Sequence, residues 1–318
     1  MTYKIKQEFK DAPLEMRAAY NNTMTLLAKT NPNIVLVEAD LMGAIKTNGF
    51  MKAFPERFVN VGIMEQNMMG VASGLSLRGL TPYVHTFGPF ATRRCFDQVF
   101  LAIGYAGLDV KIIGSDAGIT ASHNGGTHMP FEDLGLMRLI PNAFVLEISD
   151  HVMFEDILTQ TQYLKGLFYL RIIRKQMMQI YEEGSTFVIG KGIVLREGKD
   201  ATIVATGIML KEALLAHDLL KKEGISVSVL DMFTIKPLDK SLLLEYAKKT
   251  KFIVTCDNHN IIGGLGSAVL EALSEDFPTK VIRLGVKDRF GQVGPQEFLQ
   301  EEYELRAIDI VRKVKENL

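Results

Sequence analysis

The chain of 318 residues is 47% hydrophobic and 23% charged, and its 36 Lys and Arg against 37 Asp and Glu leave a formal net charge of −1. That composition excludes a disordered or low-complexity chain and gives two domains at about 150 residues each, both large enough to bury a core. The balanced charge argues against nucleic acid and anionic membrane as main partners, because both select basic patches; a small molecule or another protein is left.

The first twenty residues carry acidic side chains and no apolar run, and no stretch reaches 18 consecutive apolar residues, so nothing directs the chain to a membrane or an export pathway. A helical pattern over 14–29 leads into the apolar run NIVLVEAD (33–40), then FVNVGI (58–63), a helix over 64–78, TPYVHTF (81–87) and a helix over 90–106. VKIIGSD (110–116), a helix over 131–138, AFVLEIS (143–149), a helix over 151–164 and LFYLRII (167–173) follow. Several of these strands are apolar throughout, which is how strands covered on both faces of a parallel sheet read. The glycine- and charge-rich stretch 175–200 breaks the rhythm and is expected to be a linker plus a hairpin. A second α/β run follows, with strands ATIVATG (201–207), ISVSVLDM (225–232), KFIVTCDN (251–258) and KVIRLGV (280–286). The expected fold is therefore α/β with two doubly wound domains, 1–185 and 186–318. Cys95 and Cys256 lie far apart and form no CxxC pair, which suggests neither a disulfide framework nor a zinc site and fits a reducing cytoplasm.

In parallel α/β sheets ligands bind beyond the carboxyl ends of the strands. The segments there are polar and glycine-rich: EADLMGAIKTNG, GIMEQN, HTFGPFATRR and GSDAGITASHNGGTHMPFED in the first half, and DMFTIKPLD, DNHNIIGGLGS and GVKDRFGQVG in the second. GGLGS opens a helix and could cradle phosphate through its amides, but Val269 stands where a dinucleotide fingerprint needs a third glycine or alanine. Glu65 is the one acidic residue of RFVNVGIMEQNMMGVASGLSLRG (57–79), at the point where an apolar strand turns into an apolar helix. A carboxylate there either complements the helix N-terminal dipole, an effect of about 0.3 to 1 kcal/mol, or does chemistry that needs a desolvated site.

FVNVGIMEQNMMGVASGLSLRGLTPYVHTFGPFATRRCFDQV and GITASHNGGTHMPFEDLGLMRLIPN resemble the pyrimidine-binding domain of transketolases and of 1-deoxyxylulose-5-phosphate synthases, and DMFTIKPLD, IIGGLGSAV and GVKDRFGQVG resemble their C-terminal domain. The likeness covers nearly the whole chain in order and spacing. No GDG occurs in the sequence, whereas these enzymes hold the diphosphate of thiamine diphosphate and its Mg2+ through that motif. The resemblance is therefore to the C-terminal subunit of a split transketolase, and it implies an N-terminal partner carrying GDG that holds diphosphate and metal. It also implies an α2β2 heterotetramer acting on sugar phosphates.

By the same resemblance Glu65 is the glutamate that hydrogen-bonds the aminopyrimidine and activates the cofactor. Phe87 and Phe90 are the aromatic residues that stack on that ring, a geometry worth about 0.5 to 1.5 kcal/mol beyond area burial; Phe96 and Phe100 read as ordinary packing. Arg93 stands where transketolases often carry a third aromatic residue. Leu41 matches a residue that presses on the cofactor rings, and Asp40 either supports that loop or caps the next turn. His128 matches a histidine facing the sugar hydroxyls, Arg174 an arginine that clamps the substrate phosphate, for which Arg171 is the fallback, and Arg17 a further phosphate contact.

Two departures bear on the substrate. Ser122-His123-Asn124-Gly125 replaces the G-E-D-G of common transketolases, so Asn124 keeps the shape of the expected aspartate without its charge, and His123 is a new polar group. Asp116 stands where those enzymes usually place a phosphate-binding histidine, and a carboxylate there repels a phosphate dianion. The expectation is ketol transfer with altered sugar specificity, for a branched, deoxygenated or sulfonated sugar. Two readings stay open beside it: the beta subunit of a 2-oxo acid dehydrogenase, which shares the two-domain plan, and a non-catalytic regulatory subunit.

Overall fold

A computed structural model describes residues 2–318. The chain forms two compact units, the first running to Ala117 and including Leu136–Phe187, the second comprising Gly118–Gly135 and Val188–Leu318.

The first unit contains β1 (Ile5–Asp11), α1 (Met16–Thr30), β2 (Ile34–Glu38), α2 (Met42–Ile45), α3 (Asn48–Ala53), β3 (Phe58–Asn60), α4 (Glu65–Leu77), β4 (Thr81–Phe87), α5 (Gly88–Ala91) and β5 (Val110–Ser115). The chain returns from the second unit through α6 (Asp133–Arg138) to β6 (Phe144–Glu147), α7 (His151–Thr161), β7 (Leu167–Arg171) and β8 (Met178–Tyr181). Six strands pair in the order β6-β7-β5-β4-β2-β3, all parallel. The uniformly apolar runs are the strands expected to be covered on both faces, and every residue of β2, β5 and β7 is buried. α1 packs on α7, where the Tyr20 and Phe154 rings stack with centroids 5.9 Å apart; α4 packs on β4 and on the segment Gln98–Tyr105.

Charges inside this sheet are paired. Lys111 in β5 donates to the Asp109 carboxylate and to the Leu164 carbonyl at 2.6 Å, lies over the Phe168 ring, and is pushed by burial down to about 8. Arg171, fully buried in β7, donates to Glu147 of β6 at 2.7 Å.

The second unit contains β9 (Ile193–Arg196), β10 (Ala201–Ala205), α8 (Met209–Lys222), β11 (Val227–Asp231), the short β12 (Thr234–Lys236), α9 (Lys240–Lys249), β13 (Ile253–Asn260), α10 (Leu265–Ser274), β14 (Val281–Val286), α11 (Gln296–Glu302) and α12 (Ala307–Lys315). Its sheet runs β14-β13-β10-β11-β9, parallel except for β9. The sequence motifs of this unit meet backbone to backbone. A Cβ on Gly126 would lie 2.1 Å from the Gly291 carbonyl oxygen, and Gly118, at φ +49, faces Asn258, whose Oδ1 accepts the Ile119 amide at 3.0 Å. Only glycine permits so close an approach, which joins NGGTH to RFGQVG.

Three local expectations change. The helix expected over 90–106 breaks at Thr92 (φ −121, ψ −89), whose hydroxyl donates to the Gly88 carbonyl at 2.8 Å and so competes with the helical ladder; Gln98–Tyr105 resumes in the wider π-type winding. The expected hairpin in 175–200 is absent among the described residues: β8 pairs with the N-terminal β1, and β9 with β11, both antiparallel. β1 itself alternates weakly, with five charged or amide residues in seven, and gives no strand signal in the sequence.

Candidate active site

The carboxyl ends of the parallel strands gather most of the residues singled out in the sequence. Asp40 and Leu41 follow β2, Glu65 follows β3, Phe87 ends β4, Asp116 follows β5 and Arg174 follows β7. This is the edge at which a doubly wound sheet binds its ligand.

Glu65 is placed by the turn before it. Val61 donates to the Glu38 carbonyl at 3.0 Å and so extends the β3 pairing, Gly62 takes φ +75, and Met64 donates to the Gly62 carbonyl at 2.7 Å, after which α4 begins at Glu65. The side chain is 3% exposed although Ile63 and Met64 beside it are exposed. The apolar surround expected around it is therefore replaced by a charge partner: Arg94 Nη1 donates to both carboxylate oxygens at 2.9 Å. The same guanidinium lies over the Phe90 ring, 3.7 Å from its centroid, and the Arg94 carbonyl accepts from Gln66 Nε2 at 3.2 Å. Behind the pair, burial pushes the Cys95 thiol up to about 12, with the Glu65 charge adding to the effect.

Phe87 and Phe90 are half-buried, with ring centroids 6.2 Å apart and planes at 51°. Phe96 and Phe100 pack on each other instead, 5.9 Å apart. Arg93 is exposed. Asp40 does not cap α2, whose N-cap is Leu41 without a side-chain bond; it adopts φ +60, its amide donates to Asn60 Oδ1 at 3.0 Å and its carboxylate accepts from Asn60 Nδ2 at 3.2 Å. Asp116 shares this left-handed backbone at φ +62. Two non-glycine residues with positive φ, at the ends of the two strands that flank β4, are a local cost that concentrates at functional sites.

Asp116 is buried and accepts two bonds from Arg174, from Nε at 2.7 Å and Nη2 at 2.8 Å, while the Arg174 guanidinium faces the Phe87 ring at 5.0 Å. The arginine and the carboxylate singled out separately thus form one bidentate pair. The fallback Arg171 is sealed in the sheet with Glu147 and cannot reach a ligand. Arg17, at the start of α1, donates to Glu15 and to the Ala44 carbonyl, and its amide bonds the Arg174 carbonyl at 3.2 Å. Arg17, with Lys46 adding to it, holds the Glu15 carboxyl down to about 2.

Beneath this edge lies a network that sequence reasoning missed. His85 Nδ1 is 2.9 Å from Glu38 Oε2, His85 Nε2 is 3.0 Å from Ser115 Oγ, and Thr47 Oγ1 donates to Glu38 Oε1 at 3.0 Å. With Nδ1–H donating to the carboxylate and Nε2 accepting the serine proton, every group is satisfied. The layout matches a Ser-His-Glu nucleophilic triad, but all four residues are fully buried, so no substrate reaches the serine. The network instead ties the ends of β2, β4 and β5 together, and the signal available in the sequence was a polar residue inside each of the apolar runs VLVEA, YVHTF and IIGSD.

His123, Asn124 and His128 lie on the loop that belongs to the second unit. His123 and Asn124 are exposed, and His128 is half-buried with Nδ1 2.9 Å from Thr127 Oγ1. The loop is anchored there by Ser122 Oγ, which donates to the Gly294 carbonyl at 3.0 Å.

The comparison with known proteins agrees with the geometry. Residues 12–179 match the transketolase pyrimidine-binding domain and residues 190–310 the transketolase C-terminal domain. The chain is 44% identical over 301 residues to the 6-deoxy-6-sulfo-D-fructose transketolase subunit SqwH of Clostridium sp., covering 95% of this chain and 94% of that one. It is 40% identical to a putative transketolase C-terminal section of Methanocaldococcus jannaschii over 95% and 96% of the two chains. Among solved structures, a split-gene transketolase described as an inactive β4 tetramer superposes with a TM-score of 0.88 at 43% identity, over 96% of this chain and 98% of that one. Human transketolase is matched over only 44% of its length, at 35% identity. A buried glutamate at the head of a helix, aromatic rings beside it and both domain matches lead to one conclusion: the chain belongs to the transketolase family and is homologous to the C-terminal subunits of split transketolases.

Proposed function

We propose that this chain is the pyrimidine-holding half of a two-subunit transketolase, which with a diphosphate-binding partner transfers a two-carbon ketol unit from a ketose to an aldose phosphate. The observation that carries the reading is Glu65: a carboxylate 3% exposed at the carboxyl edge of the sheet, with the Phe90 ring beside the group that it binds. That cradle fits an aminopyrimidine, since it already holds a flat, delocalised, hydrogen-bond-donating guanidinium against both carboxylate and ring.

When bound, thiamine diphosphate supplies the carbon nucleophile and the electron sink for breaking a carbon–carbon bond. This chain's own residues bind, orient and manage a proton. Glu65 Oε holds a proton toward the ring nitrogen that faces it, in a site where low dielectric strengthens the bond. Phe87 and Phe90 fix the ring by stacking, and Leu41, half-buried at the β2 end, presses on it with Asp40 and Asn60 shaping the loop. Mg2+ and the diphosphate are held by a partner carrying GDG, in an α2β2 assembly that works in the cytoplasm, and activity requires both chains. Residues 1–185 hold the cofactor-facing machinery. Residues 186–318 serve assembly and support the loop of His123, Asn124 and His128, which faces the sugar hydroxyls.

The donor's terminal anion is met by Arg174, with Arg17 nearby in the chain's first helix. Asp116 sets its charge. Because the guanidinium is already balanced by a buried carboxylate, a monoanion is tolerated better than a dianion, and the 44% identical SqwH is named for a sulfonated ketose. We therefore include a ketose sulfonate among the donors, beside ketose phosphates. The test is a donor screen of the reconstituted pair with a ribose or glyceraldehyde phosphate acceptor, comparing 6-deoxy-6-sulfofructose with xylulose 5-phosphate and fructose 6-phosphate. Ketol transfer from at least one of these, lost in Glu65→Ala, is the expected result. Decarboxylation of pyruvate without ketol transfer would overturn the reading, as would transfer that survives Glu65→Ala.

A further inference from the structure

Arg94 lies inside one of the motifs that carry the resemblance, which assigns it no role, yet its guanidinium occupies both surfaces that the cofactor ring needs. It donates from Nη1 to the two oxygens of Glu65 at 2.9 Å and lies face-on to Phe90 at 3.7 Å. Guanidinium and aminopyrimidine share the relevant chemistry: both are planar and delocalised, both present N–H donors in the plane, and both offer a π-face for stacking. The position is built by the chain. The break at Thr92 turns Arg93–Cys95 out of the helical path, and Gln66, the residue after Glu65, holds the Arg94 carbonyl at 3.2 Å, which places the side chain within reach of the head of α4. The side chain is 43% exposed against 3% for Glu65, which leaves it a route into solvent that the carboxylate lacks.

We propose that Arg94 is a built-in surrogate for the aminopyrimidine: it keeps Glu65 paired and Phe90 covered in the subunit without cofactor, and it must swing away before thiamine diphosphate can bind. The inference rests on the reading of Glu65 given above and adds an affinity-setting residue to it. It has two consequences. Cofactor affinity is reduced by the fraction of molecules in the paired state; a subunit about nine-tenths paired binds about tenfold more weakly than its intrinsic affinity. A Glu65 carboxylate buried without cofactor also keeps a charge partner, so the subunit survives before assembly.

The experiment is the dissociation constant of thiamine diphosphate, with Mg2+, for the reconstituted two-subunit complex by titration calorimetry, together with thermal melting of apo and loaded complexes. Arg94→Ala is expected to bind thiamine diphosphate about tenfold more tightly, and Arg94→Lys, which keeps the charge but loses the flat donor face, to fall between it and the wild type. The melting temperature of apo Arg94→Ala is expected to drop while the loaded complex melts with the wild type. Equal or weaker binding by Arg94→Ala overturns the proposal, as does an equal loss of melting temperature with and without cofactor, the mark of a purely structural salt bridge. Glu65→Ala separates the two levels: weakened binding there upholds the assignment of Glu65 whatever Arg94 does, and unchanged binding removes that assignment and this proposal together.

Discussion

Gly126→Ala should damage the protein at a site remote from the sheet core. The Cβ of alanine would stand 2.1 Å from the Gly291 carbonyl oxygen and 2.7 Å from its carbon, where ordinary nonbonded contacts begin at about 3.5 Å. The obstacle is backbone, not a side chain that can rotate aside, so the loop must retreat by roughly 1 Å. Over-packing of this kind costs about 1 to 3 kcal/mol, and each kcal/mol lowers the melting temperature by about 2 to 4 °C for a unit of about 150 residues such as the one that holds Gly126. The displaced segment carries His128 two residues on, and a misplacement of about 1 Å at a binding group can cost on the order of a hundredfold in turnover. Calorimetric melting of the chain and donor kcat/KM of the reconstituted pair both report on it. Gly74→Ala is the internal control: it sits exposed inside α4 with no atom within 4 Å of the added Cβ, and loss of a helical glycine should stabilise by about 1 kcal/mol. A Gly126→Ala protein that melts with the wild type and turns over normally would refute the claim that NGGTH is seated on RFGQVG.

Glu147→Ala leaves Arg171 charged and buried in the sheet, and should cost about 3 to 5 kcal/mol in urea unfolding, much of it recovered in the double variant Glu147→Met/Arg171→Met; equal losses in single and double variants would contradict the pairing argument. Lys111 is pushed by burial down to about 8 from an unfolded value of 10.5, so the unfolded chain binds more protons between those values and stability should rise as pH climbs from about 8 toward 10.5. Lys111→Met should flatten that rise, read from urea midpoints at pH 7.5 and 9.5, while Asp109 keeps Lys165 as its partner at 2.9 Å. Asp116→Asn removes the carboxylate that balances the charge of Arg174, and should lower KM for phosphorylated donors by roughly tenfold, with a smaller effect on a sulfonated one. An unchanged ratio of the two KM values would remove Asp116 from the anion site.

What could be read from the sequence followed from period and position. Runs such as NIVLVEAD and VKIIGSD are apolar without alternation because both faces of β2 and β5 are covered, so the parallel sheet and the edge that gathers the candidate site are legible in the sequence. Glu65 was visible for the same reason, as the lone charge at a strand-to-helix turn. The features that escaped depend on approach between distant segments. The partner of Glu65 is 29 residues away and arrives only because Thr92 breaks a helix that periodicity extends to residue 106. The Glu38–His85–Ser115 network draws one polar residue from each of three strands, and each alone looks like an interruption of an apolar run. β1 alternates only weakly because it pairs with β8 as a two-stranded ribbon outside the main sheet, and the loop 118–135 joins the second unit through glycine contacts that leave no apolar period to read.

The central claim is that a buried carboxylate at position 65 governs proton traffic at a bound ring. Hydrogen–deuterium exchange of the acidic ring proton of thiamine diphosphate, followed by NMR in the reconstituted complex at saturating cofactor, addresses it without reference to any sugar. General acid–base assistance is worth about 10² to 10⁴ in rate, so Glu65→Ala should slow exchange by that factor while Phe96→Ala, a packing residue, leaves it unchanged. Exchange in Glu65→Ala at the wild-type rate, with cofactor demonstrably bound, would contradict the account.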